Sequence, residues 1–449
     1  MKWNERSQPR AGGLALLVGV AGLLALAGCD RPPTETKRPV TGCDVPPAAG
    51  PGRVVWSAPV VIPLPVGWNA GSPSLVVERG RMYLALAAVQ AGASGPPRDI
   101  LLMAGSGGGW SPPERVSEGE RPAGAPRLAL DARGEPHLLW SVQLRDSTPS
   151  GLSWRPDALL HRARGTEGWG QVDTLHRSEV LALLPPARPV LDRAGRLHVL
   201  FKGEPEPRRA AELLHQVWEA GRWLPRRSLN RSGGNAEMMV ARDGRLLTVF
   251  VDGVATIPGE RDINSVFFTS SGDGGVSWTP ARLILRAGRF PAHWPQIAQN
   301  GDGRIHLLWQ RDTTGGILPH VFEHTHSADG ECWAEPVRIT PPDRGLSAPP
   351  EIVSDGAGGL HLVFAFLNNS RNTADVYYAY WERGQWSPPE RMFEFEAMGG
   401  VDLVRDEGGT LHLIVIGRSG GVDQLYHLTS APGARRASEA AARRLRGNG

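Results

Sequence analysis

Short apolar bursts, each set off by a turn glycine, recur along nearly the whole chain. Gly303-Arg304-Ile305-His306-Leu307-Leu308-Trp309 is the clearest, and its pattern returns at Gly80–Leu86, Gly134–Trp140, Gly195–Phe201, Gly244–Phe250, Gly358–Phe364 and Gly409–Val415. Aligning the histidine or its replacement (Tyr83, His137, His198, Leu247, His306, His361, His412) gives steps of 54, 61, 49, 59, 55 and 51 residues. Seven units of this length fall in the range of repeat architectures whose units bury their faces against their neighbours. Within a unit, one apolar run precedes the glycine turn and a β-favouring run follows it, which predicts an antiparallel hairpin. A third run comes next, and then a connection ending in tryptophan: Trp110, Trp169, Trp223, Trp278, Trp333 and Trp386. Only six such tryptophans follow seven hairpins; the missing one is Trp56, ahead of the first. The order predicts an all-β, seven-bladed β-propeller of four-stranded antiparallel blades, its ring closed by an N-terminal strand over Val54–Ile62. Closure of this kind removes exposed sheet edges.

Composition agrees with many short strands and tight turns: the 449 residues include 56 Gly, 39 Pro and 15 Trp. A formal net charge of +3 with dispersed arginines excludes nucleic acid as the expected partner. Asp131, Asp192, Asn300, Asp355 and Asp406 open the glycine turns, where short Asx side chains bond nearby backbone N–H groups, so they read as turn-formers. The five histidines at equivalent register fall on five different blades. They are expected as half-buried strand residues bonded to backbone or water, not as metal ligands, and no cofactor is implied.

The N-terminus has its own pattern. Lys2, Arg6 and Arg10 precede an apolar run from Leu14 to Ala27, as in a secretory signal. The run ends Leu26-Ala27-Gly28-Cys29, which resembles the lipobox of bacterial lipoproteins. That resemblance implies a signal peptide over residues 1–28, lipid on Cys29, and attachment to a membrane of the bacterial cell envelope, facing periplasm or exterior. Residues 29–52 read as a Pro/Gly-rich spacer, 53–430 as the propeller and 431–449 as an Arg/Ala-rich disordered tail. Cys43 and Cys332 are then the remaining cysteines; they either pair, pinning the spacer to the domain, or stand as unrelated thiols.

Ser271-Gly272-Asp273-Gly274-Gly275-Val276-Ser277-Trp278 matches the Asp-box of the bacterial neuraminidase repeat, and Ser327-Ala328-Asp329-Gly330-Glu331-Cys332-Trp333 looks like a shortened copy. The chain thus resembles the sialidase-like β-propeller superfamily. The resemblance implies that Ser271, Asp273, Gly275 and Trp278 form a structural turn between the third and fourth strands, away from any reaction centre. Family enzymes use an arginine triad, an acid/base aspartate and a tyrosine nucleophile, and resemble six blades. None of the five tyrosines here falls at the start of an inner strand, and Gly71-Ser72-Pro73-Ser74 lacks the family's Arg-x-Pro. No catalytic set is therefore assigned.

Counting back from each organising position reaches the first residues of the inner strands: Ser74, Arg127, Arg188, Glu237, Gln296, Glu351 and Asp402. All seven are polar, and the propeller would gather them around its channel, either as mutually compensating charges or as a ligand site. His293 and Trp294 add an aromatic platform beside Gln296. The expected function is a lipid-anchored binding or assembly module for a protein or glycan ligand; the alternative is a sialidase-like glycoside hydrolase or lyase acting on acidic glycans.

Overall fold

The computed structural model describes residues 53–430 apart from short segments at 91–98, 107–108, 118–120, 149–150, 179–185, 208, 255–262, 313–319, 340–344, 357, 369–372 and 383. The leader, spacer and tail lie outside the described residues, as do Cys29 and Cys43. Seven antiparallel sheets follow one another along the chain, and no helix occurs among the described residues. Their inner strands begin at Trp68, Arg127, Val190, Gly234, Ala292, Gly345 and Ala397, which number blades 1 to 7. Seven apolar clusters hold the ring together, one at each junction between neighbouring blades. In the junction of blades 5 and 6, for example, Leu308 and Phe322 pack with Leu362 and Phe364. Burying such side chains contributes roughly 2 kcal/mol each, so adjacency of blades is what stabilises every one of them.

Blade 7 closes as the tryptophan count predicts. Its inner three strands come from the far end of the chain, and Val60–Val61 supplies the fourth, with Val60 opposite His427 and Val61 opposite Tyr426. Trp56 bridges Ser430, and Ser57 N donates to Thr429 O at 2.8 Å. Prolines decide where the outer strands break: in blade 6 the outer strand is Gln385–Trp386 and then Glu390–Phe395, split around Pro388-Pro389. The long third-strand turns carry the two Asp-boxes. Asp273 accepts from Ser271 Oγ at 2.8 Å, Ser277 N at 2.9 Å and Ser277 Oγ at 2.5 Å, which hold its carboxyl well below the usual carboxylate range. Gly275 has φ +84°, and a Cβ there would lie 2.0 Å from His215, so that position admits only glycine. Trp278 meets His215 edge-on at 5.5 Å between ring centroids. In the shortened copy Asp329 takes the backbone N–H groups of Glu331 and Cys332, and Cys332 is disulfide-bonded.

The histidines differ from expectation. Rather than meeting backbone or water, four of them pair across strands two and three with a second histidine: His137–His161 and His198–His215 at 3.0 Å, His306–His324 and His412–His427 at 3.1 Å. In blade 6, Tyr378 takes the second place, 2.8 Å from His361. The turn aspartates reach the same rings, with Asp192 Oδ2 3.0 Å from His198 Nε2 and Asp406 Oδ2 3.4 Å from His412 Nε2. His161 Nδ1 lies 3.1 Å from Trp223 Nε1 and 3.2 Å from Asp173 Oδ2, while its Nε2 faces His137 Nδ1. Asn300 departs from its turn role: its side chain has no partner, and Asp302 accepts from Arg304 N at 3.0 Å instead.

Burial and the partner histidine depress His137 and His427 to about 4 and His215 to about 3. These rings stay neutral in the fold, whereas in the unfolded chain they take protons below about 6.5. Their contribution to stability is therefore complete above pH ~6.5 and falls as the pH drops toward ~4, by about 2 kcal/mol per ring at pH ~5. Urea unfolding at a series of pH values should show a midpoint that declines steeply through this window; a level midpoint would show that the pairs are not buried neutral.

Candidate functional site

The seven ring residues do converge on the axis. Arg188, on the approach to the inner strand of blade 3, reaches across it: Nη2 is 2.5 Å from Asp402 Oδ1 of blade 7 and 3.5 Å from Glu351 Oε2 of blade 6, and Nη1 donates to Leu75 O of blade 1 at 3.2 Å. Its backbone N donates to Glu237 Oε2 of blade 4 at 3.2 Å. Asp402 Oδ2 also accepts from Leu75 N at 2.5 Å, and Ser74 Oγ from Leu128 N at 3.0 Å, joining blade 1 to blades 7 and 2. Gln296 lines the space below the ring together with Arg188, Glu237 and Glu351. Burial pulls against the charge on Arg188, but Asp402 and Glu351 outweigh it and hold the guanidinium protonated far beyond its ordinary range. Burial raises Glu237, against Arg127 and Arg188.

The ring separates two spaces. On the side where the inner strands begin lies a mouth of about 850 Å³; on the other is a narrower tunnel segment of about 340 Å³, lined by Met238, Met239, Ile297 and Leu403 among others. Glu351 lines both. One wall of the mouth is apolar, with Pro349, Phe366, Leu367 and Val401; the other is polar, with Arg127, His293, Gln310, Asp312 and His320. Arg127 donates through Nε to Pro186 O at 3.1 Å, and among the described residues its two terminal nitrogens take no hydrogen bond. His293, 29% exposed, has Nε2 3.7 Å from Asp312 Oδ2, while His320 Nε2 lies 3.3 Å from Asp312 Oδ1 and its Nδ1 2.5 Å from Gln310 Nε2. Asp312, which ends its strand, thus faces two imidazoles that stand at the starts of the strands on either side. No group of His, Cys, Asp and Glu among the described residues is arranged to hold a metal.

A feature that periodicity did not disclose shapes this mouth. In blades 1, 4, 5 and 7 the inner strand slips register two residues ahead of the ring position. Ser72, Asn235 and Trp294 there adopt φ of 51°, 43° and 46°, and Gly400 takes +134°. A bulge of this kind bends the strand and re-aims a side chain, and a left-handed tryptophan is strained. Ser72 and Trp294 end up on the mouth wall. The signal lay in Ser72-Pro73, Trp294-Pro295 and Gly399-Gly400, pairs that interrupt a strand ladder. None of the five tyrosines lines the mouth, and Arg127 is the one arginine that does among the described residues.

The two ring arginines should respond unequally to removal. Arg188→Met leaves Asp402, only 1% exposed, without its partner and should cost about 3 kcal/mol in urea unfolding, much of it recovered in Arg188→Met/Asp402→Asn. Arg127→Met should cost less than about 1 kcal/mol. Equal costs would mean that the axis does not depend on Arg188.

No protein-family model matches the chain, and no curated protein matches it by sequence. Solved structures do. An ulvan lyase, described as a new family of polysaccharide lyase, superposes with a TM-score of 0.56 at 12% identity, over 82% of this chain and 95% of that chain. A structure of such a lyase bound to -[GlcA(1-4)Rha3S]- gives 0.54 at 13% identity, over 85% and 95%. The NanB sialidase of Streptococcus pneumoniae lies further off, with a TM-score of 0.40 at 11% identity over 85% of this chain and 70% of that one. At these identities the likeness is one of fold: the chain is a seven-bladed β-propeller.

Proposed function

We propose that the mouth receives an acidic glycan and acts on it by β-elimination. The observation that carries this reading is Arg127: a guanidinium on the wall of a large cavity with both terminal nitrogens unengaged among the described residues, beside Trp294 and His293. Such a fork suits the bidentate grasp of a sugar carboxylate or sulfate, and an indole suits the apolar face of a pyranose ring. Elimination needs a cation on the carboxylate, a base for the proton on the adjacent carbon, and a proton for the departing oxygen, but no nucleophile. His293, whose Nε2 faces Asp312 at 3.7 Å, is the base. A sialidase-type hydrolysis finds less support, since Arg188 is consumed by Asp402 and Leu75 and the mouth has neither a second free arginine nor a tyrosine among its described walls. The ulvan lyase propellers, one of them holding a glucuronic acid–rhamnose sulfate unit, are compatible with this reading through fold alone. It goes ahead of a protein-docking module, for which no comparable patch stands out among the described residues.

Tethering belongs to the same proposal. The described chain enters at Arg53 and leaves at Ser430 on the face opposite the mouth, and lipid on Cys29 would hold the protein at a membrane of the cell envelope.

The test is a panel of uronic-acid and sulfated polysaccharides, read by the ultraviolet absorbance of unsaturated product and, separately, by calorimetric binding of their oligosaccharides. Binding and product are expected for at least one acidic polymer; Arg127→Met should weaken binding at least tenfold and His293→Ala should remove product with binding retained. Binding without product would leave recognition and end the elimination reading, and no binding by any acidic polymer would end both.

A further inference from the structure

The ring holds two arginines and three acids: Arg127 and Arg188 against Glu237, Glu351 and Asp402. With every group ionised this desolvated axis would carry a surplus negative charge, so one proton makes it neutral. Where that proton sits follows from the contacts. Asp402 accepts from Leu75 N and is gripped by Arg188, which fits only the ionised form. Glu237 accepts from Arg188 N at 3.2 Å. Glu351 has Arg188 at 3.5 Å and, among the described residues, makes no hydrogen bond. It is also the one ring acid that lines the mouth, on the same wall space as Arg127.

We infer that Glu351 is the proton donor of the mouth, delivering its proton to the departing glycosidic oxygen of a glycan held by Arg127. The inference rests on the acidic-glycan reading above. In the step, His293 takes the proton on the carbon next to the sugar carboxylate. The C–H electron pair becomes the new C=C bond, and the C–O pair leaves with the oxygen, which takes the Glu351 proton. His293 ends protonated and Glu351 ionised, and exchange with solvent restores both. The surroundings favour the neutral acid at rest. Burial pushes the Glu351 carboxyl up to about 8, opposed by Arg188 and Arg127 and assisted by Asp402 and Glu237; blade 5 contributes the uncharged Gln296. A carboxylic acid kept protonated near neutral pH by an apolar, acid-flanked site is a recognised way to supply a proton at that pH.

The direct test needs no substrate. The infrared difference between the wild-type chain and Glu351→Gln should show the C=O stretch of a protonated carboxyl near pH 7, fading by about pH 9. Its absence at pH 7 would overturn the assignment whatever the glycan proves to be. On an acidic polymer that the wild type cleaves, Glu351→Gln should lose at least about 100-fold in kcat, bind oligosaccharide within about threefold, and lose the alkaline limb of the pH profile. Cleavage retained in the variant, or an unchanged alkaline limb, would refute the donor role. A thermal midpoint within a few degrees of wild type shows that the variant is folded. If no acidic polymer is bound, the functional reading fails while the infrared band still decides the protonation.

Discussion

One guanidinium, that of Arg188, sets the character of the axis. From blade 3 it engages Asp402 of blade 7, Leu75 O of blade 1 and Glu351 of blade 6, while its own N–H is held by Glu237 of blade 4. Removing these charges from water is costly, and the attraction among them offsets that cost only because Arg188 and Asp402 are each met by the other and by backbone. The apolar junctions between blades fix how closely the blades approach, but they are alike around the ring and give no blade a distinct role. Arg188 breaks that equivalence. By tying itself to the far side of the axis it separates mouth from tunnel, leaves Arg127 as the unengaged cation, and leaves Glu351 as the acid without a firm partner.

The fold was legible because a propeller repeats itself. Glycine turns and β-favouring runs gave the blade number, and the displaced Trp56 gave the closure, because each unit must find the same partners as its neighbours. The convergence of Ser74, Arg127, Arg188, Glu237, Gln296, Glu351 and Asp402 followed from the same register. Periodicity could not say which of these charges would pair, since that depends on side-chain reach across the axis rather than on position along a strand. Nor could it foresee the histidine pairs. His161, His215, His324 and His427 stand on third strands, whose register against the second strand is fixed only once the hairpin between them is known.

The bulges were missed for a related reason. Ser72, Asn235, Trp294 and Gly400 each break the alternation of a strand by one residue, and a reading based on regular alternation passes over them. The Asp-boxes were easier, since Ser271, Asp273 and Gly275 bond one another within a few residues. Local chemistry is visible in a sequence, while chemistry assembled from several blades is visible only after closure.

Two departures from low-energy design fall at the same end of the axis. Trp294 is held at a positive φ, a conformation in which a bulky side chain is strained, and the ring carries one acid more than its arginines can balance. An inert channel plug would need neither: a glycine would relieve the first, and Gln at position 351 would resolve the second without changing shape. Local rules broken together in a cavity usually mark a site whose geometry serves a ligand. The strained indole stands on the wall that Arg127 shares, and the surplus acid forms part of the same mouth, so both costs are located where an anionic sugar would be gripped and a proton passed to it. The Asp-boxes show the contrast: Asp273 and Asp329 are each satisfied within their own turns.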